Sequence, residues 1–179
     1  MLREIFHLFV GTAAGLLGSG LLLRSYLSWL RVPRSNPMSV FCVALTDWLV
    51  MPLRRVLPMR GRFDAASVVA ALLVAVVFVL LVEWVDFDGI ANWTLFLPSV
   101  LLVLIRWVLY LLLFLLVLNS LLSLVNPHAP LAPVFDMLTR PVLAPVRRML
   151  PPVGGFDLSP MAVVLLILVG LTVLDQLRF

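Results

Sequence analysis

The chain has 179 residues, of which 63% are hydrophobic and 12% charged, against roughly 25% charged in an ordinary soluble domain. Its mean hydropathy is +1.16 at 19.9 kDa, and a domain of that size has too little interior to hide so much apolar surface. A soluble globular enzyme and a disordered chain are both excluded, which leaves an integral membrane protein. Thirteen basic residues, all arginine, exceed nine acids and give a formal charge of +4. The arginines flank apolar runs, where they orient a protein and meet the anionic head groups of membrane lipids. Nucleic acid is not an expected partner, since it requires a basic face interleaved with aromatic residues. The single cysteine, Cys42, excludes an intramolecular disulfide and a cysteine-based metal cluster, and reads as a small apolar side chain.

A spanning helix needs about 20 mostly apolar residues, and four stretches qualify. The first covers about 6–27 and the second 65–85, the latter interrupted only by Glu83 near its end. A cleaved leader is an alternative for the first, but Leu21 to Leu23 continue the apolar run past the small residues Gly18 to Gly20. The third region is too long for one perpendicular helix. One reading sets 90–98 at the interface, breaks or kinks the chain at Pro98 and spans from about 102 to 125, with Arg106 snorkelling beside Trp107. The other makes two spans meeting at Arg106, where no turn residues stand. The fourth span covers 159–177, with Asp175 at its end.

The segment after the first span carries Arg31, Arg34, Arg54, Arg55, Arg60 and Arg62, and the segment after the third carries Arg140, Arg147 and Arg148. The segment after the second carries Glu83, Asp86 and Asp88 and no base. The positive-inside rule therefore places the arginine-rich segments in the cytoplasm of a bacterial inner membrane and both termini in the periplasm.

The chain also repeats itself. Pro52 to Pro58 matches Pro145 to Pro151 around a paired arginine, and the same offset brings Thr46 onto Thr139, Gly61 onto Gly154 and Asp64 onto Asp157. With a two-residue gap, Ser25 to Ser28 falls on Ser120 to Ser123, and Asn119 stands where the first half has Arg24. The expected architecture is an all-α membrane protein: four transmembrane helices in two tandem parallel repeats, residues 1–86 and 87–179. Each half holds a span, an apolar cytoplasmic segment lying in the interface, a Pro-Arg-Arg turn and a second span. The interfacial segments are Met38 to Met51 and Leu131 to Leu138, the latter broken by Pro141 and Pro145. Arg54, Arg55, Arg147 and Arg148 then face lipid phosphates or a partner protein. Asp136 and Arg140, four apart, are spaced to pair on one helix face.

Ionisable groups inside a membrane are functional candidates. Arg24, near the inner end of the first span, either snorkels or docks an interfacial helix by pairing with Asp47 or Asp136. Asn119 is placed to hydrogen-bond between spans. Gly11, Gly15 and Gly18 form a small-residue stripe suited to close helix packing, within the chain or in a homo-oligomer. Asp64 is expected to cap the second span, and Ser159 with Pro160 the fourth.

These residues carry a family resemblance. Asn126 to Pro130, then Pro141 to Pro151 with its paired arginines, then Gly154 to Pro160, resemble the signature of the YggT family, small bacterial membrane proteins with relatives in plastids. The resemblance covers both halves, so each reads as one YggT-like repeat. The first half departs from it, with Met59 to Arg62 in place of a glycine pair and Ala66-Ser67 in place of Ser-Pro. The resemblance implies links to osmotic-stress tolerance and to cell-division or envelope loci. In plastids it implies links to maturation of a haem-containing cytochrome complex and to nucleoid organisation. It implies no catalytic residue.

The residues themselves add no enzymatic constellation. His7 is expected at the outer face and His128 at the inner face, too far apart to share a metal, a haem or a triad, and nothing orients Ser123 with His128. No cofactor is expected. The sequence therefore reads as a non-enzymatic membrane scaffold, or an assembly and maturation factor for envelope or cytochrome complexes, acting on lipid and on an unidentified membrane protein. The alternative is osmotic-stress-linked ion or solute permeation by an oligomer.

Overall fold

The structure is a computed structural model that describes residues 1–57, 63–86, 93–126, 128–150 and 157–177. Among these the regular elements are six helices: α1 (Leu2–Trp29), α2 (Pro37–Val56), α3 (Ala65–Asp86), α4 (Trp93–Val125), α5 (Ala132–Met149) and α6 (Ser159–Gln176). Four are long and apolar enough to cross a membrane: α1, α3, α4 over Leu95–Val125, and α6. Within the best apolar stretch of each, at most a third of the residues are buried. Many large side chains of these helices, Leu16, Val77, Phe114 and Leu166 among them, are exposed, an arrangement that hydrocarbon accommodates and water does not.

Two compact units divide the chain between Val108 and Leu109, inside α4. In the first, α1 and α3 pack side by side and α2 rests on both. Leu21 of α1, Val50 of α2 and Ala66, Ala70 and Ala71 of α3 are sealed where the three helices meet. The alanines let the backbones approach closely, as membrane helices require when lipid is as apolar as leucine. Ala75 and Val79 of α3 then pack on Val100 and Trp107 of α4. In the second unit, Leu116 of α4, Leu143 of α5 and Val163, Ile167 and Leu171 of α6 form the core.

The turn after α1 is a Schellman motif: Arg31 donates to Ser28 O (3.1 Å) and Val32 to Leu27 O (3.0 Å). Arg31 takes the left-handed position with φ 59°. Asn36 then caps α2, its side chain accepting from the Met38 amide at 3.0 Å, with Pro37 in the first turn.

Three expectations about prolines are corrected. α4 runs unbroken through Pro98, so the third region is one helix in place of a broken one, and two spans meeting at Arg106 are ruled out. Pro98 sits in the second turn, where it costs a single amide-to-carbonyl bond. Likewise α5 continues through Pro141 and Pro145, and α2 through Pro52. The paired arginines that follow are therefore helical, not part of a turn. These last three prolines lie on exposed faces.

The capping of the second half shifts as well. Ser159 is the first residue of α6 and not its cap, and Asp157 Oδ1 accepts the Ser159 amide at 2.9 Å. Asp64 accepts the Ser67 amide at the start of α3, at 3.4 Å. The glycine pair Gly154-Gly155, and Met59 to Arg62, lie outside the described residues.

Candidate helix-docking sites

In the first unit a threonine organises the site. Thr46 is fully buried on α2 and donates its hydroxyl back to Cys42 O at 2.6 Å. Its lone pairs then accept Arg24 Nη1 at 2.9 Å, from α1. The other arm of the same guanidinium, Nη2, reaches Asp47 Oδ1 at 2.9 Å. Arg24 is thus buried at 5% exposure while bridging two neighbouring residues of α2, the planar fork matching donors to two acceptors at once.

Asp64 completes the network from the start of α3. It is 0% exposed, and a buried carboxylate persists only where its lone pairs are satisfied. Oδ2 accepts Arg54 Nη2 at 2.6 Å and Ser67 Oγ at 2.9 Å, and Arg24 Nε lies 3.8 Å away. One acid therefore ties together α1, α2 and α3. Beside it, burial pushes the Cys42 thiol up to about 11, with the nearby Arg24 charge opposing the shift. A thiol so held stays protonated at neutral pH and is a poor nucleophile.

The second unit repeats the construction with different chemistry. Thr139 is buried on α5 and donates to Phe135 O at 2.9 Å. It accepts from Asn119 Nδ2 of α4 at 3.1 Å. Arg147 Nε donates to Asp157 Oδ2 at 2.7 Å, with the two side chains 43% and 38% exposed. Burial pushes the Asp157 carboxyl up, but the Ser159 amide and Arg147 together outweigh it and hold the group below the usual carboxylate range. Among the described residues none plays the part of Asp47: at the repeat offset stands Arg140, exposed on α5. A guanidinium in place of Asn119 would face a like charge, so the neutral amide and the reversed charge belong together.

The sequence-predicted residues distribute as follows. Arg24 meets Asp47, while Asp136 stays exposed on α5. Asp136 and Arg140 make no ion pair among the described residues, as expected of two solvated charges that gain little by pairing. Arg54 and Arg147 turn onto Asp64 and Asp157 in place of facing outward, whereas Arg55 and Arg148 are exposed. In the glycine stripe the tight point is Gly18: a Cβ there would overlap the Trp107 ring. At Gly15 and Gly11 a Cβ would make ordinary contacts, 3.7 Å from Trp107 Nε1 and 3.8 Å from the Phe78 ring.

Two features escaped sequence reasoning. His7 Nε2 lies 2.8 Å from Asp86 Oδ1, joining the start of α1 to the end of α3. The signal was present in the acidic patch after the second span, but it named no partner. Glu83 is buried at 8% exposure, and its Oε2 has no hydrogen-bond partner among the described residues. Also among the described residues, no three His, Cys, Asp or Glu side chains gather where they could hold a metal ion.

Four lipid-compatible helices and two helices pinned to them by polar contacts define a multi-pass, all-α membrane protein. The sequence profile of the CCB3/YggT family matches the chain twice in tandem, over residues 4–85 and 98–177. The chain belongs to that family. It is 36% identical over 154 residues to the uncharacterized protein YggT of Escherichia coli K12, covering 83% of this chain and 78% of the relative. It is 37% identical over 152 residues to an uncharacterized Vibrio alginolyticus protein encoded in the proC 3' region, covering 84% and 80%. An uncharacterized Haemophilus influenzae protein is 32% identical over 163 residues, covering 90% and 86%. No solved structure matches the chain.

Proposed function

We propose that the protein is a non-enzymatic scaffold of the bacterial inner membrane that holds α2 and α5 in the cytoplasmic interface for a membrane-protein partner. The observation that carries this reading is the pair of docking networks. Each fixes a helix that does not span, α2 through Thr46 and Asp64, α5 through Thr139 and Asp157. A helix fixed in this way keeps its outer face free. On α2 that face is apolar and large: Phe41 and Trp48 are 66% and 67% exposed. Arg55 and Arg148, exposed at the ends of the two helices, are placed for lipid phosphates. The arginine bias between spans supports the cytoplasmic side. The same reading places the chain in assembly or maturation of envelope complexes, without a reaction of its own.

The test is a photo-crosslinking amino acid placed in native membranes at Phe41, Trp48 or Met137, and at Leu73 and Leu166 on the spans. The scaffold reading expects a discrete adduct with one membrane protein from the α2 or α5 positions. Adducts only with lipid at all five positions, together with ion flux in proteoliposomes of the purified protein, would replace it with permeation.

A further inference from the structure

Between the last turns of α1 and the length of α2 the first unit holds an open groove of about 280 Å³. Its lining on α2 recurs every three or four residues, from Ser39 through Asp47 to Arg54. The groove thus follows one helix face over fifteen positions, roughly 22 Å at about 1.5 Å per residue. Three guanidiniums line it: Arg24 on α1, Arg34 in the turn and Arg54 on α2. Against them stand Asp47 in the lining, paired with Arg24, and Asp64 behind it, paired with Arg54, which leaves a formal balance of one positive charge.

Two buried donors in this lining lack an acceptor among the described residues: Ser39 Oγ and Arg54 Nε. Ser39 is only 7% exposed. Buried N–H and O–H groups in folded proteins are nearly always paired, so these two mark places where an acceptor belongs. They lie toward opposite ends of the groove, which calls for an elongated ligand with oxygen acceptors spread along it. The rim is apolar. Met51 is 63% exposed and Val43 36%, and both border the groove. An oxyanion in the basic wall would therefore have hydrocarbon beside it. Tyr26 and Trp29 stack at the end of α1, ring centroids 5.9 Å apart, the kind of pair that marks the head-group level of a bilayer.

We infer that this groove binds the phosphodiester head group of an anionic phospholipid, its phosphate at Arg54 Nε and its polar head extended toward Ser39 and Arg34. A charged guanidinium N–H suits a phosphate oxygen, and the apolar rim selects a lipid over a soluble phosphate compound. The site deepens the lipid contact of the scaffold reading but does not require a protein partner, so either can fail alone. It belongs to the first half, because Asn119 and Arg140 replace Arg24 and Asp47 in the second.

The test is native mass spectrometry of the full-length protein in mild detergent, titrated with phosphatidylglycerol, with phosphatidylcholine of the same acyl chains, or with inorganic phosphate. One phosphatidylglycerol is expected to be retained at least tenfold more tightly than phosphatidylcholine. Ser39→Ala and Arg34→Gln, each with an unchanged melting temperature in the absence of added lipid, are expected to reduce that preference several-fold. Should one variant fail to fold, the other still decides. Equal retention of the two lipids overturns the proposal. So does a preference that survives in the folded variants, which would place the lipid elsewhere. Saturable binding of inorganic phosphate that displaces phosphatidylglycerol overturns the lipid as ligand and assigns the groove to a soluble phosphate compound.

Discussion

The two halves of this protein solve one mechanical problem with different electrostatics. Each must hold a short helix against a spanning helix, and each uses a buried threonine that bonds its own backbone and accepts one donor from the neighbour. In the first half the donor is a buried guanidinium that pairs with Asp47 and shares Asp64 with a second arginine. In the second it is a neutral amide, and the arginine–aspartate pair has moved to the exposed surface. The repeated threonine and acid therefore do different amounts of structural work, because losing one partner of a buried pair strands a charge away from water, whereas the survivor of an exposed pair is solvated.

The acids give the largest expected contrast. Asp64→Ala strips a fully buried carboxylate from Arg24, Arg54 and Ser67, and breaking a buried charge network of this kind costs about 3–5 kcal/mol. Asp157→Ala breaks an exposed pair and the bond from the Ser159 amide and should cost less, about 1–2 kcal/mol. Denaturant or thermal unfolding of both variants in the same detergent checks the difference; equal losses would erase the distinction between the halves.

Exchanging the donors sharpens the comparison. Arg24→Leu leaves Asp47 and Thr46 without their donor and should lower the melting temperature clearly. Asn119→Arg should also destabilise, by about 1–3 kcal/mol, since it brings a charge into a partly buried position with no acid at the Asp47 equivalent. Adding Arg140→Asp to that variant should recover much of the loss, and failure to do so would show that the two halves differ in backbone geometry as well as in charge.

Gly18→Ala tests a packing feature of the first unit alone. The added methyl meets the Trp107 ring, and overpacking of a filled interior costs about 1–3 kcal/mol. Gly11→Ala and Gly15→Ala, with room for a methyl, should be near neutral in the same melting assay.

The smallest effect is one of pH. Asp157 is held below its unfolded value by the Ser159 amide and Arg147. A lowered folded value means that its contribution is complete above the unfolded carboxylate range, about pH 4, and is lost as pH falls through the folded value. The stability difference between wild type and Asp157→Asn should be flat from pH 7 to about 5 and shrink toward zero below 4. A difference that grows on acidification would contradict the assigned sign.

The legible part of this molecule was the part written in local pattern. Unbroken apolar runs announced the four spans, and the Thr46/Thr139 and Asp64/Asp157 correspondences stood in the sequence as one offset. Asp47 was already one of two acids offered to Arg24. The prolines misled, because a rule about a missing amide says nothing about which face carries it: Pro52, Pro141 and Pro145 stay helical on exposed surfaces. The paired arginines misled for a related reason. Both members of a pair look alike in sequence, yet one of each turns back to an acid ten residues on.

Sequence alone determined that the chain is a four-span membrane protein of two related halves, since span length and hydrophobicity are set by bilayer thickness and read residue by residue. The tertiary structure decided which charges are buried and what each touches. It sealed Asp64 between three helices, joined His7 to Asp86, and left Ser39 Oγ and Arg54 Nε without acceptors among the described residues. Those outcomes depend on contacts between residues distant in sequence, and the energy of a charge depends on the dielectric and the partners that such contacts create.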